Sequence, residues 1–298
     1  MIEVKDVTKR FADKVAVDAL SFTVKPGEIM GLIGQNGAGK TTTFRMLLDF
    51  IEPNQGNITW NGQVLNNNLR QKIGFLPEER GLYQKLSIEE QVLYFAELHG
   101  MNRRDARHDL ALWMDKFNVV GRPTDKVQKL SKGNAQKVQL IATLISHPEF
   151  LILDEPFTGM DPVNADIILN EIHELKRSGV TIIFSSHNMS GVETLSDHVT
   201  MLRHGQTVLQ GETNQIREQY GRTEIYLEAP QTDAELLAIP GVRKVEPELM
   251  GRRVFLTDPD VGRQVFALVS ANGYVQAFSQ QAPSLDQIFK QEVAKGEN

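Results

Sequence analysis

The 298-residue chain contains no cysteine. That excludes disulfides, thiolate metal sites and cysteine nucleophiles, and it fits a reducing compartment. It also lacks any apolar run of the roughly 18 to 20 residues that a membrane-spanning helix needs. The longest apolar stretches, such as 150–153, have the length of buried strands. The first residues, MIEVKDVTKRF, have no apolar core of the signal-peptide kind, so secretion is not expected. Nor is there an excess of basic charge: 32 Lys and Arg against 38 Asp and Glu give a net charge of −6. No global field favours nucleic acid, and no nucleic-acid partner is expected. Repeats and low-complexity tracts are absent.

What is present is ordinary globular material, 41% hydrophobic and 23% charged, enough for one large domain or two smaller ones. β-type patterning over 2–7 and 19–25 is followed by a short apolar strand over 28–33. A helix over 41–50 and strands over 58–60 and 72–76 come next. From residue 87 the period changes. Segments 87–99, 105–117 and 131–145 are expected helices, with Val138, Ile141, Leu144 and Ile145 on one face of the third. Ser131 is a suitable N-cap for it. Strands return at 150–153, 180–184 and 199–202, with a helix over 162–177 between the first two. The pattern describes an α/β domain over 1–218 with a helical insertion at about 85–148.

The pattern restarts after Gly221. Strand 224–228, helix 232–237, strands 242–246 and 254–256, helix 261–271 and strand 274–278 give the order β-α-β-β-α-β. A small ferredoxin-like α+β domain over 222–298 is expected, with a last helix at 285–293.

Gly34-Gln35-Asn36-Gly37-Ala38-Gly39-Lys40-Thr41 matches the phosphate-loop pattern G-x-x-x-x-G-K-[ST] in full. Phosphate oxygens need several backbone N–H groups close by, and glycines permit that approach. The loop opens into a helix N-terminus, which favours an anion. Lys40 brings positive charge to the outer phosphates. The Thr41 hydroxyl is a hard oxygen suited to Mg²⁺. A chance match in a chain of this length is on the order of 1 in 100, and this one lies between a strand and a helix as the chemistry demands.

The strand at 150–153 ends in Asp154-Glu155, at the end where parallel sheets bind ligands. Asp154 is placed to hold the Mg²⁺ shell, and Glu155 to orient a water against the γ-phosphate. Alone, an apolar strand ending in two acids is as well explained as a solvated strand end.

Further pieces follow in a fixed order: Leu130-Ser131-Lys132-Gly133-Asn134, then Thr158-Gly159-Met160-Asp161, then Ser185-Ser186-His187. With the two motifs above, these make residues 1 to about 215 resemble the ATPase of the ABC (ATP-binding cassette) family. The resemblance implies a P-loop NTPase fold with an antiparallel β subdomain and a helical subdomain, and a Mg-dependent ATPase. It implies two ATPase subunits meeting head to tail, as a homodimer, with ATP in the shared interface. It further implies a separate integral membrane permease and a cytoplasmic location, peripheral on the inner face of the membrane. Lys40, Thr41, Thr42 and the backbone from Gly37 to Gly39 would bind phosphates. Ser131 and Gly133 of the opposite subunit would cap the γ-phosphate. Asp161 resembles the residue coupling the two sites, His187 the switch histidine at the γ-phosphate, and Phe11 the ring placed against adenine. Phe11 has the alternative of being a hairpin or core aromatic, and Ser131 of being an N-cap only. Arg103, Arg104, Arg107 and His108 form a basic cluster that reads as a solvated helix face.

Three residues depart from the family pattern. Lys132 replaces the first glycine and Asn134 the glutamine of the usual L-S-G-G-Q. Glu78, in Ile73-Gly74-Phe75-Leu76-Pro77-Glu78, stands where the family has a glutamine that contacts Mg²⁺ or the attacking water. The stretch 75–83 and the segment 283–289 resemble bacterial exporter ATPases of the sodium-efflux and drug- or antibiotic-efflux types. The resemblance leads to the ATPase half of an export system. Two other classes compete with it: a soluble ABC ATPase acting on ribosomes or nucleic acid, which would carry two cassettes or a long coiled coil, and a regulatory module with vestigial hydrolysis.

Overall fold

The computed structural model describes residues 1–79, 81–271 and 273–294. Arg80 of the stretch 75–83 and residues 295–298 of the expected accessory domain lie outside the described residues. The chain divides into two compact units, Met1–Gln210 and Gly211–Asn298.

In the first unit, β1 (Ile2–Phe11) and β2 (Lys14–Val24) form an antiparallel hairpin, with Ala12 at φ 49° in the two-residue turn. β3 (Ile29–Ile33) starts a second sheet and runs into α1 (Lys40–Leu47). β4 (Gln55–Trp60) returns to the first sheet, antiparallel to β1, completing the order β2-β1-β4. The one-turn α2 (Asn67–Arg70) precedes β5 (Ile73–Leu76).

Three helices follow: α3 (Ile88–Leu98), α4 (Arg103–Lys116) and α5 (Lys132–Leu144). Ser87 and Glu90 form a reciprocal capping box at the start of α3, satisfying two backbone donors that the first turn leaves open. Then come β6 (Phe150–Asp154), α6 (Pro162–Arg177), β7 (Thr181–Ser185), α7 (Met189–Leu195), β8 (His198–Arg203) and β9 (Gln206–Glu212). The six-stranded sheet has the order β5-β6-β7-β3-β8-β9, and the pairs from β5 through β8 are parallel. Every residue of β3, β6 and β7 is buried. A parallel sheet covered on both faces selects continuous apolar strands rather than alternating ones, which is why 150–153 stands out in the sequence.

One apolar cluster joins both sheets to α1. Leu20 and Phe22 of the small sheet, Phe150 and Ile183 of the large one, and Phe44 and Leu47 of α1 all belong to it. Burying each such side chain contributes about 1.5–3 kcal/mol. This packing anchors α1, so the loop before it has a fixed floor.

The second unit begins with α8 (Thr213–Gln219) and continues β10 (Glu224–Glu228), α9 (Asp233–Leu237), β11 (Val242–Glu248), β12 (Gly251–Leu256), α10 (Val261–Ser270), β13 (Ala277–Gln281) and α11 (Leu285–Ala294). Its sheet has the order β11-β12-β10-β13 with every neighbouring pair antiparallel. Two split β-α-β crossovers in that order make the ferredoxin-like arrangement. Its core is Ile225, Leu227, Leu236, Val254, Leu256, Val261, Val265 and Val269.

The last strand lies at Ala277–Gln281 instead of 274–278. Tyr274, a residue type common in strands, is 89% exposed and lies in the loop before the strand. α7, α8 and β9 are short elements that apolar periodicity did not single out.

Candidate active site

Four neighbouring strands deliver their C-terminal ends to one place, because the sheet order is β5-β6-β7-β3. The segment after β5 carries Glu78. Asp154 ends β6 and Glu155 follows it. β7 leads to Ser186 and His187, and β3 leads to the glycine-rich loop. A cavity of about 640 Å³ opens there. It is lined by Asn36, Gly37, Gly39, Lys40, Thr41 and Thr42 of the loop and α1, and by Glu78, Asp154, Glu155 and His187. Phe11, Lys14 and Ala16 of the β1–β2 hairpin form its rim. Residues from five separate stretches of sequence thus meet in one pocket.

The loop's shape follows from its glycines. Gly39 has φ 113°, and a Cβ there would lie 2.7 Å from the Ala16 carbonyl oxygen. A side chain is excluded on both counts. Gly34 and Ala38 belong to the loop without lining the cavity. Ala38 is buried, and a Cβ on Gly34 would lie 2.4 Å from the Leu202 oxygen. Lys40 Nζ donates to the Gly34 carbonyl at 2.7 Å and the Gln35 carbonyl at 3.3 Å, so the loop's own oxygens hold the ammonium. Burial lowers the Lys40 pKa from its ordinary value. The carboxylates of Glu155, Asp154 and Glu78 oppose that shift.

Asp154 is buried and accepts from Ser185 Oγ of the adjacent strand. Glu155 leaves the strand at φ 51°, a left-handed conformation that strains a residue with a Cβ. Its backbone N–H donates to Ser185 at 3.2 Å. Its carboxylate meets His187 Nδ1 at 2.8 Å and accepts from Thr158 Oγ1 at 3.4 Å. Thr41, Asp154 and Glu78 supply hard oxygen donors around Lys40, a set that fits Mg²⁺ shared between one or two protein ligands and substrate phosphates. No three His, Cys, Asp or Glu residues cluster as a metal cage among the described residues.

Ser131, Gly133 and Asp161 lie outside this cavity. Ser131 caps α5, accepting from Asn134 N at 3.3 Å and from Asn134 Nδ2 at 3.2 Å. Gly133 is half-buried, in the first turn of α5. Asp161 caps α6 by accepting from Asn164 N at 3.0 Å, and hydrogen bonds from Asn164 hold its carboxyl below the usual range. Phe11 is 47% exposed on the hairpin, and Lys9 Nζ sits 5.3 Å from its ring centroid. Lys14 and Ala16 are site residues that lie outside every motif, and the contact of Ser185 with Asp154 is not implied by the Ser185-Ser186-His187 stretch. Lys14 pairs directly with Phe11 across the hairpin, so recognising the turn at 12–13 would have placed both together.

The model of the ABC transporter family matches residues 17–158. The model described as "ATP-binding protein DrrA1-3-like, C-terminal domain" matches residues 211–293. The chain is 39% identical to the uncharacterized ABC transporter ATP-binding protein YhaQ of Bacillus subtilis (strain 168), covering 98% of each chain. It is 32% identical to the Nod factor export ATP-binding protein I of Sinorhizobium fredii (strain NBRC 101917 / NGR234), over 97% of this chain and 84% of that one. It is likewise 32% identical to the linearmycin resistance ATP-binding protein LnrL of Bacillus subtilis (strain 168), over 74% of this chain and 72% of that one. A solved structure of an ATP binding subunit of an ABC transporter superposes with a TM-score of 0.69 at 31% identity, over 74% of this chain and 93% of that one. The chain belongs to the ABC transporter ATP-binding proteins and is an ATP-binding, ATP-hydrolysing subunit.

Proposed function

We propose that this subunit powers an exporter, closing on a second copy of itself around two ATP molecules and driving a separate membrane permease. ABC ATPase subunits work with membrane permeases and dimerise. The convergence of the phosphate loop, Glu78, Asp154, Glu155 and His187 on one cavity is the observation that carries the site assignment. Export is supported by relatives whose names state Nod factor export and linearmycin resistance. No helix among the described residues is long and apolar enough to cross a membrane. The proposal assigns the pore to the permease and places this subunit at the inner face of the membrane.

In this reading Lys40, Thr42 and the N–H groups of 36–41 bind the triphosphate. Thr41 and Asp154 would hold Mg²⁺, and Glu78 would offer a third oxygen donor. Bound there, Mg²⁺ would supply charge neutralisation to the triphosphate. Glu155 orients and polarises the attacking water, while His187 contacts Glu155 and the γ-phosphate. Phe11 stacks on adenine. Ser131 and Gly133 cap the γ-phosphate of the partner's site, and Asp161 couples the two sites. Transport follows when the nucleotide states favour different permease conformations.

Purification from membranes in mild detergent tests the reading. Recovery of a polytopic membrane protein with ATPase activity is expected. Recovery of ribosomes instead would overturn it.

A further inference from the structure

α5, capped by Ser131, carries two glutamines three residues apart, on one face of the helix. Gln136 Nε2 donates to the Pro156 carbonyl at 3.0 Å and to the Thr158 carbonyl at 3.1 Å. Gln139 Nε2 donates to the Glu79 carbonyl at 3.3 Å and to the Pro77 carbonyl at 3.5 Å. The first pair of carbonyls holds the turn that follows Glu155, and the second flanks Glu78. One helix therefore grips both carboxylate-bearing loops, each through a single amide NH₂ shared between two backbone oxygens.

The Glu155 turn needs such a grip. Glu155 sits in the left-handed region, at φ 51°, and such strain persists only where the surroundings over-determine it. The bonds inside the turn run from Thr158 N to the Glu155 carbonyl and from Met160 N to the Phe157 carbonyl, both at 3.2 Å. Those bonds shape the turn, the Glu155 N–H ties its start to Ser185 of β7, and Gln136 fastens its next residues to α5. Packing alone does not account for an amide at this position. Gln136 Oε1 is buried with no hydrogen-bond partner among the described residues, a cost that an apolar side chain of equal size would not carry.

We propose that Gln136 and Gln139 are positioning residues, through which the helix that caps the partner's ATP sets the places of Glu155 and Glu78 in its own subunit. The inference rests on the dimer described under the proposed function. Ser131 and both glutamines lie on one rigid helix. Seating the α5 N-terminus on the partner's γ-phosphate moves all four carbonyl contacts together, and the two carboxylates follow. Hydrolysis in each subunit then waits on nucleotide in the neighbouring site.

Gln136→Met and Gln139→Met preserve side-chain length and remove the amide. Each is expected to lower kcat of the full-length protein at least tenfold while the KM for ATP stays within twofold, because the phosphate loop and Phe11 are untouched. Misplacement of a reacting group by about 1 Å is enough for a loss of that size. The melting temperature is expected to hold or rise for Gln136→Met. An unchanged kcat overturns the proposal for that residue. So does a kcat loss matched by a rise in KM or by a fall in melting temperature, which would mark the glutamine as a fold contact only. The dimer is tested apart from this: Glu155→Gln alone should run as a dimer on size exclusion with ATP. If it runs as a monomer the dimer fails, whatever the glutamine variants do.

Discussion

His187 Nδ1 lies 2.8 Å from Glu155 Oε2, joining the segments that follow two adjacent strands, β7 and β6, at the mouth of the nucleotide cavity. The carboxylate's other hydrogen bond among the described residues comes from Thr158 Oγ1, at a longer 3.4 Å. The imidazole thus fixes which way the carboxylate faces. Glu155→Gln keeps the size of the side chain and removes its basicity, so kcat should fall by about 10²-fold or more, in the range of general-base losses. The ATP dissociation constant should hold. His187→Ala should also lower kcat, because the carboxylate loses its orienting contact. Steady-state phosphate release and equilibrium binding of ATP to the same preparations check both expectations.

Phe11 offers a half-exposed ring at the cavity rim, with the Lys9 ammonium close to it. Base stacking on an aromatic side chain contributes about 1–3 kcal/mol. Phe11→Ala should therefore weaken ATP binding by about fivefold or more and leave binding of inorganic tripolyphosphate unaltered. Equal losses for both ligands would mean the ring only shapes the loop.

Much of this site was legible because its chemistry sits in short contiguous motifs. The phosphate loop, Asp154-Glu155 and His187 each follow an apolar strand, and the parallel sheet brings those strand ends together. Lys14 and Ser185 were not legible in the same way. Each acts through a neighbour that is adjacent only in the sheet: Lys14 opposite Phe11, and Ser185 beside Asp154. Gln136 and Gln139 look like ordinary helix residues until the helix is laid against the loops at 77–79 and 156–158. The ferredoxin-like order of the second unit could be read from its alternation of strands and helices. The start of its last strand could not, because exposed Tyr274 mimics a strand residue in composition.

Glu78 places a third carboxylate beside Asp154 and Glu155 in the cavity that Lys40 enters. An added negative oxygen donor strengthens attraction for a hard divalent cation. Glu78→Gln should raise the Mg²⁺ concentration needed for half-maximal ATPase activity, by several-fold at low ionic strength and less at high salt, where screening weakens the attraction. A titration of activity against free Mg²⁺ at saturating ATP reads this directly. An unchanged midpoint would show that Glu78 does not face the metal.

In the second unit, Arg253 on β12 bridges Glu224 of β10 and Glu248 of β11, tying three neighbouring strands through one guanidinium. The Glu224 side chain is only 8% exposed, while that of Arg253 is 28% exposed. Arg253→Met leaves the Glu224 carboxylate in the sheet without its counter-charge. Removing one partner of a fully buried pair costs about 3–5 kcal/mol, so about 2 kcal/mol is expected at this partly wet site. Glu224→Leu added to Arg253→Met should recover most of the loss, since the orphaned charge is then gone. The pH dependence has a definite sign. Hydrogen bonds from Arg253 hold the Glu248 carboxyl below its usual value of 4.5. A lowered carboxyl pKa contributes stability that is full above that value and is lost as pH falls through the depressed one. Wild-type protection of the β10–β12 amides against hydrogen exchange should therefore decline as pH drops below about 4.5, after correction for the intrinsic exchange rate. In Arg253→Met that acid limb should flatten, and protection should be lower already at neutral pH. A variant whose acid limb matched wild type would show that the guanidinium does not couple these strands.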